Sequence, residues 1–294
     1  MTKTNVPPND TSYDLVLGAG GVQGPVHIGV IQCLEERRVS INKIYGASVG
    51  ALIATFLANG YNSKQLREIF LSEGFRFPNW DITSKCLHTF NPLWFFFPWS
   101  DMNAWVNRAI DMTPWAIDFK PWLQHVVNEY KLKPQPNLVL VAANAFNTDK
   151  PVVFEGTDYD LVEGLAASTA AISGLGIRPV WHAETQQLLI DGFYYHPIPA
   201  MLCEKRAIVS KIGLATEMPR ERLSPSDLFM HMREMMLAPY FKMKYPDPVG
   251  HVIVDSGLSH VASTNFGVSV RTLEEMVEHG YKAACSKLDE EAMS

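Results

Sequence analysis

The chain is short of charge, of cysteine and of unbroken apolar runs, and each shortage removes a class of protein. Only 19% of its 294 residues are charged, and 25 basic against 31 acidic side chains leave a formal net charge of −6. With no Lys/Arg cluster on a mildly acidic chain, nucleic-acid binding is not expected. The four cysteines (Cys33, Cys86, Cys203, Cys285) form no CxxC pair and have no histidine at ligand spacing. They read as reduced core thiols of a cytosolic protein rather than as a disulfide or zinc framework. The segment Met1–Asp10 is polar and contains prolines, with no apolar core behind Lys3, so Sec-type export is not expected. Two uncharged stretches imitate membrane spans. Ile44–Ser63 has the length, but Gly46, Ser48, Gly50, Asn59 and Gly60 interrupt it, and a strand–turn–helix fits better. Pro92 and Pro98 break any helix through Cys86–Ser100.

What the chain does have is apolar content, 47% of residues, which excludes a disordered protein and suits one large domain or two small ones. Tyr13–Gly18 reads as a buried strand, and Ile28, Ile31 and Leu34 place a helix over His27–Arg38. A second strand at Ile41–Tyr45 and a helix at Ser48–Ala58 complete a parallel βαβα start. The alternation lapses between about residues 63 and 136. It returns with strands at Leu138–Ala142, Val152–Glu155, Leu188–Ile190, Ile208–Leu214 and Val252–Val254. Helices are predicted over Leu161–Ala171, Pro197–Arg206, Ser224–Tyr240 and Thr272–Leu288. No repeat and no Ser/Gly linker divides the chain, so one α/β domain with an inserted segment is expected.

Two loops carry candidate chemistry. Gly18-Ala19-Gly20-Gly21-Val22-Gln23-Gly24 joins the first strand to its helix, where exposed N–H groups stabilise an anion. A dinucleotide phosphate and a reaction oxyanion are both possible occupants. The Rossmann fingerprint requires glycine where Gln23 stands and an acid at the end of the second strand, which instead closes in Tyr45-Gly46. The other loop, Gly46-Ala47-Ser48-Val49-Gly50, is a G-x-S-x-G between a strand and a helix, the context a nucleophile elbow needs. The plainer reading is a tight turn whose Ser48 caps the helix. A serine nucleophile needs a base. His231, His251, His260 and His279 follow it, although His231 and His279 fall in predicted helices and His251 opens a strand. Asp191-Gly192 ends the apolar run Leu188–Ile190 and, in a parallel sheet, would share the sheet edge with Ser48. An Asp-Gly turn is the alternative there.

Together the glycine loop, the elbow and the later Asp-Gly resemble the patatin-like phospholipase family. His27-Ile28-Gly29-Val30, Tyr45–Ala54, Ala166–Ala171, Arg178-Pro179-Val180 and Asn265-Phe266-Gly267 are also similar to family segments, so the likeness covers about residues 13–285. It implies a three-layer α/β fold with a mostly parallel sheet and helices on both faces. The implied organisation is a flexible N-terminus (1–12), a hydrolase domain (13–285, insert about 63–136) and a C-terminal tail (286–294). It further implies a Ser48–Asp191 dyad, with oxyanion donors from Gly20, Gly21 and Val22. Gly24, Gly46, Gly50 and Gly192 would support the turns, and neither metal nor cofactor is involved. The implied substrate is a phospholipid or other acyl-ester lipid at a membrane surface, met by a cytoplasmic, membrane-peripheral enzyme. An ordinary aspartate, with a pKa near ~3.9, is a weak base for a serine hydroxyl, so Asp191 is expected to be desolvated.

The sequence departs from the pattern twice. Gln23 stands where the family usually has Arg or Lys, and Phe193 replaces the second glycine of Asp-Gly-Gly. These departures keep a catalytically silent interaction module as an alternative, beside a nucleotide-binding α/β protein. Phe90, Trp94, Phe95, Phe96, Phe97 and Trp99 put six aromatics into ten residues. They read either as a satellite core or as a lid with lipid contact through Trp94–Phe97 and Trp99. Phe229, Met232, Met235 and Met236 are candidates for a core face or an acyl channel.

Overall fold

A computed structural model describes residues 12–72, 117–171, 177–220, 223, 225–265 and 267–293. The aromatic cluster with Trp94, Phe95, Phe96, Phe97 and Trp99 lies outside the described residues, as does the N-terminal segment 1–11.

The strands are β1 (Tyr13–Leu17), β2 (Ile41–Ala47), β3 (Leu138–Asn144), β4 (Asn147–Glu155), β5 (Val180–His182), β6 (Gln187–Asp191), β7 (Ala207–Lys211) and β8 (Val252–Asp255). They form one sheet in the order β5-β6-β3-β2-β1-β7-β8, with β4 also paired to β3. The run β3-β2-β1-β7-β8 is parallel, whereas β4 and β6 both meet β3 antiparallel. Side chains alternate between two cores with the period of two that a pleated strand imposes. Leu15, Leu17, Ile44, Leu138, Leu140 and Ile208 enter the larger core, while Val16, Tyr45, Val139, Val141 and Val209 enter the smaller one.

The larger core is covered by helices α1 (Pro25–Glu36), α2 (Val49–Ala58), α3 (Ser63–Phe70), α4 (Lys120–Glu129), α5 (Leu161–Ser168) and part of α7 (Val270–Met293), while α6 (Pro225–Lys244) lies elsewhere. On the smaller core sit Tyr195, Ile198, Ala200, Leu202 and Cys203. The helix expected over Pro197–Arg206 is reduced there to a 3-10 turn at Ala200–Leu202, which starts after Pro199 and ends where Cys203 turns extended with ψ 137°. The supposed insert contributes to the main core at both ends, through Leu66 of α3 and Leu123 and Val126 of α4. The expected C-terminal tail is helix instead, since α7 continues to Met293 and Arg37–Asp289 and Arg206–Glu291 ion pairs hold its last turns.

Helices α1 and α7 cross in near-contact. A Cβ on Gly29 would lie 1.9 Å from the Val277 carbonyl oxygen, and one on Gly280 would lie 2.0 Å from that of Val26. The close crossing brings together two residues 252 apart in sequence, Cys33 and Cys285, which form a disulfide. The expectation of reduced, unpaired thiols is therefore corrected for these two. Sequence spacing could not reveal the pair, because only the tertiary crossing brings the cysteines together. Among the described residues, Cys203 remains free.

Candidate active site

The site lies where the parallel strands end. Ser48 joins β2 to α2 with φ 56° and ψ −127°, a region where non-glycine residues are rare and strained. A Cβ at Gly46, Gly50 or Gly192 would sit 2.5 Å or less from backbone, so these three positions demand glycine, while one at Gly24 would press on a Val49 methyl at 2.5 Å. The Ser48 side chain does not cap α2. Its backbone N–H instead faces Ser168, with the carbonyl oxygen at 3.1 Å and Oγ at 3.2 Å, and the Ser168 hydroxyl donates to the Val141 carbonyl at 2.7 Å. Ser168 thus ties the elbow to α5 and β3. The small-residue run Ala166–Ala171 is visible in the sequence, but this role of Ser168 is not.

The Ser48 hydroxyl donates to Asp191 Oδ2 at 2.6 Å. Asp191 reaches this position by a different route from the one expected. Strand β6 runs opposite to β3 and pairs with its end, where Asp191 stands opposite Ala142. Val141 stands opposite Ala47. The C-terminal end of β6 therefore returns to the level of the elbow. Asp191 is 1% exposed, and burial raises its pKa from 3.8 to about 7, against the lowering effect of hydrogen bonds from Ser48 and from the Phe193 N–H at 2.8 Å. Among the described residues, no histidine hydrogen-bonds Ser48. His231 contacts the Glu217 carbonyl, and His251 Nδ1 accepts the Ala207 N–H.

A cavity of about 790 Å³ opens beside the pair, lined by Gly20, Gly21, Ser48, Asp191, Phe193 and one face of α6. Gly21 has φ +54°, and a Cβ there would meet the Ser263 carbonyl oxygen at 2.1 Å. The Val22 N–H, expected among the oxyanion donors, is already used by that same carbonyl at 2.8 Å. Val22 is therefore withdrawn as a donor, and Gly20 and Gly21, which line the cavity, stay as the candidates. Ser263 is in turn fixed by Glu234 of α6, which is 4% exposed and accepts both the Ser263 N–H at 3.1 Å and the hydroxyl at 2.5 Å. Nothing in the sequence around Glu234 signalled this, since it is one acid in a methionine-rich helix.

Gln23 is fully buried. Its amide group donates to the carbonyls of Leu258 and Val261 and accepts the Leu258 N–H at 2.7 Å. Where the family pattern places a cation, this chain has a neutral strut between the glycine loop and the 258–261 turn. His27 bridges the loop from beneath, with Nε2 2.9 Å from the Gly18 carbonyl and Nδ1 2.7 Å from Ser210 Oγ. The carbonyl requires a proton on Nε2, so Nδ1 accepts from the serine. Burial pushes the His27 pKa down to about 4, keeping the ring neutral. Phe193 lines the cavity with its ring 5.0 Å from that of Phe241 on α6.

Known proteins share this frame. The chain is 39% identical over 56 residues to the uncharacterized protein YqhO of Bacillus subtilis, covering 19% of either chain. It is 47% identical over 47 residues to the lysophospholipase NTE1 of Mycosarcoma maydis, 16% of this chain and 2% of that protein. The matched segments thus span a fifth or less of these relatives' length. In fold it is similar to VipD from Legionella pneumophila, with a TM-score of 0.53 at 16% identity, over 98% of this chain and 69% of that one. The family description "patatin-like phospholipase" matches residues 15–203, well over half of the chain, and the chain therefore belongs to the patatin-like phospholipase family.

Proposed function

We propose that the protein is a serine lipid acyl hydrolase, acting through an acyl-enzyme on Ser48 with Asp191 as the base. The observation that carries this reading is the 2.6 Å hydrogen bond from Ser48 to a buried carboxylate whose pKa is raised to about 7, at the wall of a large cavity. Ser48 Oγ attacks the ester carbonyl carbon while Asp191 takes the hydroxyl proton. The Gly20 and Gly21 N–H groups hold the oxyanion, and each such donor is worth about 10²–10³ in rate. Collapse expels the alcohol, which receives the proton from Asp191. Water, deprotonated by Asp191, then attacks the acyl-enzyme and releases the fatty acid with Ser48 restored. A carboxylate near neutrality suits this double role, because it accepts and returns a proton at similar pH.

A fluorophosphonate probe with acyl-ester substrates tests the proposal. Wild type should label covalently and turn over ester, and Ser48→Ala should do neither. Labelling absent from wild type would leave the silent-module reading in its place. Loss of activity on replacing a single histidine, with Asp191→Ala retaining it, would instead establish a Ser-His base.

A further inference from the structure

Helix α6 has two working faces. Glu234, Leu237, Ala238 and Phe241 line the cavity that holds Ser48 and Asp191. On the outer side, Phe229 (68% exposed), Met232 (51%), Met236 (80%), Tyr240 (51%) and Met243 (75%) stand in solvent. Their spacing of three, four, four and three residues puts them on one stripe about 21 Å long at ~1.5 Å per residue. The expectation that Phe229, Met232 and Met236 form a core or an acyl channel is thereby overturned, because they point away from both. An apolar row of this length on the solvent side of a helix marks an interaction surface.

We infer that this stripe is the surface by which the enzyme docks on a phospholipid bilayer, with the cavity behind it. The inference rests on the acyl-hydrolase reading for its choice of partner. Charge on the helix points the same way. Beyond Asp227 in its first turn, the one carboxylate of the helix is Glu234, which is buried and turned towards Ser263. Lys244 is exposed beside Met243, and Lys242, also exposed, stands at the edge of the cavity. A cationic end beside an apolar row matches lipid phosphate above acyl chain, the pattern of an interfacial helix. Unbranched methionine also conforms to a fluid partner more readily than to a rigid one. The substrate would then have a short path, because the helix that meets the lipid also forms the cavity wall.

Sedimentation with vesicles of phosphatidylcholine and phosphatidylserine tests the inference in the Ser48→Ala background, where hydrolysis cannot alter the membrane. Ser48→Ala should bind, and adding Met236→Glu with Met243→Glu should weaken binding at least tenfold. With Ser48 intact, the same two glutamates should leave turnover of a soluble short-chain ester within about twofold of wild type, which also verifies folding. Equal vesicle binding by the two forms would overturn the inference. So would a wild type that ignores vesicles but forms a dimer that the glutamates dissociate. Should no protein turn over the ester while the glutamates still abolish vesicle binding, docking would stand and the hydrolase reading would fall.

Discussion

At Asp191, function and stability pull against each other. The fold buries a carboxylate that, as the proposed base, must be ionised to accept the Ser48 proton, and burial favours its neutral form. Asp191→Asn keeps the shape and still accepts the Phe193 N–H, but cannot take a proton. Esterase kcat should fall by at least ~10³, while the midpoint of urea unfolding at pH 8 should rise. A variant that is inactive and also less stable would show that the carboxylate is needed for folding. Glu234 presents the opposite case. It touches no reacting atom, but positions Ser263 and through it the Val22 N–H of the glycine loop. Glu234→Ala should lower kcat by about 10- to 100-fold with little change in KM, because a displaced oxyanion donor weakens the transition state more than substrate binding. Its pH profile should keep the wild-type inflection. A shifted inflection would mean that Glu234 acts on Asp191 instead.

At the scale of elements, what the sequence revealed was whatever is encoded locally. The elbow was legible because a strand, five small residues and a helix are contiguous, and Ser48 adopts the strained backbone that this context demands. The strands of the parallel run were legible for the same reason, from apolar runs a few residues long. The reversed direction of β6 was not, since a short strand carries no mark of its sense, and the right residue was reached through the wrong topology. Helices α3 and α4 lay within a stretch whose rhythm is broken by prolines and aromatics, and Glu234 and the Cys33–Cys285 bridge depend on contacts hundreds of residues apart or on a fold-specific turn. The bridge carries its own prediction. It closes a long loop between α1 and α7, and a disulfide of this kind contributes about 2–4 kcal/mol. Cys285→Ser should therefore lower the denaturation midpoint by an equivalent amount, and dithiothreitol should bring wild type to the same value without changing the variant. Unequal endpoints would indicate that the serine disturbs the Gly29–Gly280 crossing itself.

Across the whole molecule, two buried groups of the site make stability depend on pH in opposite senses. Asp191 has a folded pKa of about 7, above its ordinary 3.8, so the folded protein retains a proton that the unfolded chain has released. Its stabilising contribution is full below about pH 3.8 and disappears as pH rises through 7, a change of up to ~4 kcal/mol. His27 has a folded pKa of about 4, below its ordinary 6.5, so the unfolded chain binds the extra proton. Its contribution is full above about pH 6.5 and disappears as pH falls through 4, a change of up to ~3 kcal/mol. Between pH 4 and 6.5 the two nearly cancel, while activity with Asp191 as the proposed base should climb with pH through about 7. On that proposal the protein should be most active where Asp191 stabilises the fold least. Asp191→Asn removes one side of the balance. Relative to wild type, its unfolding free energy should gain steadily from pH 4 to pH 7 and then level off, and the difference between the proteins cancels every other titrating group. Denaturation curves at pH 4.5, 6.5 and 8 measure that difference directly. A gap that stays constant across the three would mean that Asp191 titrates in the fold as it does in the unfolded chain, and would remove the basis for its role as the base.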